Sequence, residues 1–104
     1  RMILVNTDFI TGKEIETMRL VRGSTIRSKH LGKDLMAGLK TIVGGELTSY
    51  TEMLDEARAI ATKRMVDDAE SIGADGVINI RYATSNVAQG AAEVLVYGTA
   101  VKFK

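Results

Sequence analysis

His30 is the single histidine of the chain, and there is no cysteine. Disulfides, thiolate metal sites and cysteine nucleophiles are therefore excluded, and a lone imidazole closes no coordination sphere. A triad would need a nucleophile and an orienting acid beside His30, and no spacing in the chain supplies them. His30 stands in a polar, basic neighbourhood and reads as a solvated loop histidine. Arg22, Arg27, Lys29 and Lys33 join it in a modest basic cluster that can meet phosphates. Without interleaved aromatics or a nucleic-acid motif, a solvated edge is the preferred reading.

The carboxylates Glu52, Asp55, Glu56, Asp67, Asp68 and Glu70 are spread along one segment. A hard cation needs several oxygens converging on a point. Spacing instead pairs Lys63 with Asp67 and Arg64 with Asp68 at i, i+4, as on a solvated helix face. Gly44-Gly45-Glu46 can offer amides to an anion, but Glu46 opposes this and a plain corner between helices is preferred. Arg58 flanks an apolar stripe. Either it snorkels to solvent, or it bridges to a carbonyl or to a carboxylate such as Asp75 of a neighbouring subunit. No P-loop, G-x-G-x-x-G, G-x-S-x-G or H-E-x-x-H occurs.

The elements that must position these residues centre on a long helix predicted over Ser49 to Ile72. Ser49 and Glu52 have capping-box spacing. Tyr50, Met53, Leu54, Ala57, Ile60, Ala61, Met65, Ala69 and Ile72 recur at helical steps, and Gly73 suits the left-handed C′ position. Strands are expected over Met2–Thr7, Glu14–Arg27, Val77–Ala83 and Ala92–Phe103, with a loop over Thr84–Ala91. A shorter helix is expected over Asp34–Val43. The order β-β-α-α-β-β predicts an α+β fold: an antiparallel sheet with one long and one short helix on one face. In the last strand, Leu95, Tyr97, Thr99, Val101 and Phe103 alternate with Val94, Val96, Gly98 and Ala100. Both faces are apolar, so both need a cover, and a lysine at Val96 would charge whichever layer covers that face.

The 104 residues, 45% apolar and 26% charged, suit one domain spanning 1–104. A net charge of +1 makes no bulk case for nucleic acid or an anionic membrane. No apolar run approaches the roughly 20 residues that span a bilayer. Without the pattern of a signal peptide, and with Met2 read as the native start, the expected location is the cytoplasm.

The runs G-G-E (Gly44 to Glu46), E-A-R-A-I-A (Glu56 to Ala61), G-A-D-G-V-I-N-I-R (Gly73 to Arg81) and Y-G-T-A-V (Tyr97 to Val101), with Tyr50, Arg64-Met65 and Asp68-Ala69, resemble the YbjQ-like family. Its members are small, mostly bacterial proteins of unknown function, often carrying a heavy-metal-binding label. The resemblance implies a dodecin-like subunit and a homo-oligomeric ring, typically a pentamer. The metal label does not carry over, because soft metals favour ligands that this chain lacks. The family pattern has Asn or Asp at the position of Asp75, with small residues around it, which Gly76 and Asn79 vary.

The favoured expectation is a non-enzymatic ring that binds itself, with a small ligand at subunit interfaces touching Arg58, Asp75, Asn79 and Arg81. No catalytic residue, metal ligand or cofactor is assigned. A metal-binding protein using oxygen ligands comes second. An enzyme comes third, since no nucleophile–base pair is visible.

Overall fold

The computed structural model describes residues 1–28 and 45–104. The strands β1 (Ile3–Leu4) and β2 (Ile15–Ser28), the helix α1 (Gly45–Ser71) and the strands β3 (Gly76–Ala88) and β4 (Ala91–Phe103) follow in order. They form a four-stranded sheet in the order β1-β3-β4-β2, with α1 lying mainly across β2 and β4. The class is α+β as expected, but the sheet is mixed rather than antiparallel. β1 runs parallel to β3, with Ile3 opposite Gly76 and Leu4 opposite Val77. A hairpin forces its strands antiparallel, whereas the long connection from β1 to β3 lets both enter from one end. The short helix expected over 34–43 lies outside the described residues.

The helix begins at Gly45, one turn before the expected start, so Ser49 lies inside it rather than at its cap. Its end follows the sequence closely. Gly73 has φ 78°, its N–H donates to the Glu70 carbonyl at 3.0 Å, and the Ala74 N–H donates to that of Ala69 at 3.1 Å. These are the two bonds of a Schellman motif; Ala69 is buried in the core, and the partly buried Ala74 packs against it.

Against the sheet α1 buries Met53, Ala57, Ala61, Met65 and Ala69, a four-residue repeat dominated by alanine. Val21, Val77, Val94, Val96 and Ala100 meet it from the strands. The small helix residues permit a close approach, which is tightest at Gly23. A Cβ on Gly23 would stand 2.1 Å from the Ala61 carbonyl oxygen and 2.4 Å from the Met65 nitrogen. Ile60 is only half-buried and lines a shallow hollow on the outer flank with Glu56, Ala59, Lys63, Arg64 and Asp67. Successive helical residues lie about 100° apart, so Ile60 stands well round the helix from Ala61 and misses the core.

The same flank of α1 reaches the outer edge of β2. Arg64 Nη1 donates to the Ser24 carbonyl at 2.8 Å, and the Arg22 N–H donates to Asp68 Oδ2 at 3.4 Å. Arg19 pairs with Asp68 at 3.1 Å and Arg27 with Glu56 at 2.8 Å. On the far side of the sheet, Ile10, Ile78 and Val101 are buried with Ile3, Val5, Ile15 and Phe103, so the N-terminal segment covers one end of that face.

The loop expected over 84–91 is strand. β3 continues to Ala88, and only Gln89 and Gly90 make the turn, with Gly90 at φ 75°. The polar run S-N-V-A-Q-G lacks apolar alternation, but ladder hydrogen bonds to β4 need only the backbone. The register shifts between Ile78 and Arg81, where Asn79 adopts φ 55° and donates its N–H to the Thr7 carbonyl at 2.9 Å. Asparagine tolerates this left-handed conformation better than most residues. Gly98 lies across from the shift, and a Cβ there would stand 2.6 Å from Val77 Cγ1.

Candidate functional site

Alternation on β2, β3 and β4 sends one set of side chains under α1 and the other to the opposite face. On β4, Val94, Val96, Gly98 and Ala100 are all buried on the helix side. Val96 therefore packs beneath the chain's own helix, and among the described residues no helix lies over the other face. Cross-strand register arranges that face in rows. Leu20, Thr99 and Ile78 form one row, and Arg22, Tyr97 and Arg81 the next. Ser24, Leu95 and Ala83 follow, then Ile26, Glu93 and Ser85. The N-terminal segment covers the Ile78 end. Beyond it Leu20 is 60% exposed, Ile26 61% and Tyr97 39%.

The four candidate ligand residues do not form one site within the chain. Asp75 closes the start of β3: its Oδ2 accepts the Phe103 N–H at 2.8 Å, and Lys102 Nζ stands 3.7 Å from its Oδ1. Asn79 forms the bulge. Arg81 lies on the open face, its Nη1 donating to the carbonyls of Asn6 and Ile80 at 3.1 Å each. Arg58 is on the helix side, paired with Asp55 at 3.0 Å. Its carbonyl accepts from Thr62 Oγ1 at 2.7 Å, which leaves Tyr82 as donor to that hydroxyl oxygen, also at 2.7 Å. Tyr82 is register-paired with buried Val96, whereas Arg81 is paired with Tyr97. The sheet thus separates Arg58 from Arg81. The lysine–aspartate pair expected at i, i+4 is present, Lys63 to Asp67 at 3.1 Å, but Arg64 turns to the β2 edge instead.

The Asp68 carboxyl is displaced below its usual range. Its hydrogen bond from Arg19 holds it below the ordinary aspartate value of 3.8, assisted by the Arg22 N–H and the charges of both arginines. That is an edge-strand ion pair rather than a catalytic acid. Among the described residues no three His, Cys, Asp or Glu side chains gather as a metal would require. His30 and its neighbours Lys29 and Lys33 lie outside the described residues. No described helix is long and apolar enough to cross a membrane.

The open face is the feature that inspection of single residues missed. Its signal was present in the two-faced last strand, but Leu20 and Ile26 gain meaning only when register sets them beside Thr99 and Glu93.

Comparison with known proteins agrees with this architecture. Residues 2–104 match the YbjQ family, which carries the description "Putative heavy-metal-binding". A UPF0145 protein of Clostridium novyi is 73% identical over 101 residues, covering 97% of this chain and 98% of that protein. One from Alkaliphilus metalliredigens is 69% identical over 102 residues, covering 98% and 99%. One from Thermus thermophilus is 57% identical over 104 residues, covering 98% and 91%. The crystal structure of a DUF74 family protein of unknown function from Pediococcus pentosaceus has the same fold. It superposes with a TM-score of 0.64 at 16% identity, covering 99% of this chain and 98% of that one. The match across nearly the whole chain and the identities to full-length relatives make this chain a member of the YbjQ, or UPF0145, family of proteins of unknown function.

Proposed function

We propose that the chain is a non-enzymatic, dodecin-like subunit of a closed homo-oligomeric ring, five-membered by family resemblance, that holds a small ligand between neighbouring copies. The observation that carries this reading is the open sheet face, where Leu20, Ile26 and Tyr97 stand exposed beside Leu95. A contiguous apolar patch of a few hundred Å² is uncommon on a monomer and usually marks an interface. Closed symmetry lets every copy cover its patch without open-ended growth. The dispersal of Arg58, Asp75, Asn79 and Arg81 is compatible with a ligand site completed between subunits.

The family description favours a second reading, a metal held by oxygen donors. Among the described residues of one chain no three such donors come together, so this reading draws on a second copy or on residues outside the described ones. Native mass spectrometry of the protein as purified tests both readings. A single closed stoichiometry with a retained small molecule supports the first. A stoichiometric metal released by acid supports the second. A monomer at micromolar concentration, confirmed by light scattering, overturns the ring.

A further inference from the structure

We infer that the open sheet face of one copy receives the outer face of α1 from the next copy, so that each sheet ends between two helices. This deepens the proposed function and rests on it, by specifying which surfaces meet.

Three observations lead there. The first is size. Strands lie about 4.8 Å apart and rise about 3.3 Å per residue, so the rows from Leu20 to Ile26 across β2, β4 and β3 cover about 20 Å by about 10 Å, wide enough for one helix about 10 Å across. The second is charge. The exposed outer face of α1 carries Glu52, Asp55, Glu56, Asp67 and Glu70 against Lys63 and Arg64, the latter turned to the β2 edge. The open sheet face carries Arg22 and Arg81 in one row, with Glu93 two rows along. Among the described residues Glu52 and Glu70 make no ion pair, and the Arg22 guanidinium makes none either. Opposite surfaces of one molecule thus carry opposite sign, which favours a head-to-tail contact over a face meeting its own copy. The third is shape. The outer flank of α1 is not uniformly polar: Ala59 and Ile60 line a shallow hollow with Glu56, Lys63, Arg64 and Asp67 around them. Leu20, Ile26 and Tyr97 are the side chains that project from the opposite surface.

Pairing through the β2 edge is less suited. Arg64 and Asp68 already occupy outward-pointing backbone groups of Ser24 and Arg22 there. A contact between two different surfaces is heterologous and closes into a ring when its rotation divides the circle.

The absence of native cysteine makes the test direct. Ala59→Cys and Tyr97→Cys are made singly, co-expressed, and treated with a short bismaleimide. Ile60→Cys with Leu95→Cys serves as a second pair, and size is followed by light scattering. The expected result is a cross-linked dimer band from each co-expressed pair and loss of that band when either variant is alone. Cross-linking should also weaken at high salt, as the charged rim is screened. A band from Tyr97→Cys or Leu95→Cys alone would mean sheet faces sheet, and would overturn this arrangement while leaving self-association standing. An oligomer in which neither pair cross-links would do the same. A monomeric protein would remove both the arrangement and the ring beneath it.

Discussion

The two faces of β4 are built from similar residues and have opposite fates. On one, Val94, Val96 and Ala100 are fully buried beneath α1. On the other, Leu95 and Thr99 are half-buried and Tyr97 is exposed. Neither face reads as more apolar from sequence. The difference is supplied by α1, whose alanine-rich stripe can press against the strands because Gly23 leaves room for its backbone. On the open face Leu20, Ile26 and Tyr97 stand exposed among Arg22, Arg81 and Glu93, with no helix over them among the described residues.

The sharpest way to break this comparison is to place the same charge on each face. Val96→Lys buries an ammonium beneath α1 without a partner, which costs several kcal/mol of the roughly 5–15 that hold a domain together. Chemical denaturation should find it largely unfolded. Tyr97→Lys should leave the fold within about 1 kcal/mol of the parent and abolish assembly instead. If both variants fold and both remain assembled, the two faces have been misassigned.

A smaller contrast separates core from flank on the helix. Met65 is fully buried, and Met65→Ala should lose about 2–5 kcal/mol in a urea melt. Ile60→Ala removes a half-buried side chain outside the core and should cost under about 1 kcal/mol in the isolated subunit. Equal losses would mean that the sequence-drawn stripe, with Ile60 inside it, describes the packing better than the four-residue repeat does.

The smallest effect concerns the link between α1 and β2. Asp68 is held below its ordinary value, so its contribution is present above about 3.8 and fades as pH falls through its lower folded value. Asp68→Asn should cost about 0.2–1 kcal/mol at neutral pH, as exposed pairs do, and should flatten the acid limb of the stability profile. An unchanged acid limb would detach Asp68 from acid stability.

Much of the fold could be read in the residues themselves. Gly73 ends the helix because its left-handed turn has a local chemical signature, and β4 shows itself as a run apolar on both faces. What escaped was set by partners distant in sequence. The polar run after Ala83 became strand because β4 supplies hydrogen bonds to its backbone. The mixed sheet arose because Ile3 lies beside Gly76 rather than beside β2. The candidate site was less legible. Asp75, Asn79 and Arg81 are neighbours in sequence, but they serve a strand end, a bulge and an open face. Arg58 lies across the sheet from Arg81, and no spacing rule reports which side of a sheet a distant helix will take.

The bonds from Arg64 and Asp68 to the edge of β2 have a consequence for the newly folded chain. A newly folded subunit is at its most vulnerable to misassembly, because an unpaired strand edge can template another strand without limit. On β2 the Ser24 carbonyl and the Arg22 amide are already engaged by side chains from the subunit's own helix. An incoming strand would have to displace a guanidinium and a carboxylate to gain the same bonds. The protection is confined to β2, since β1 reaches only the start of β3 and the edge of β3 from Arg81 to Ala88 has no strand beside it among the described residues. By guarding the β2 edge, the helix makes it harder for the chain to seed fibrils there.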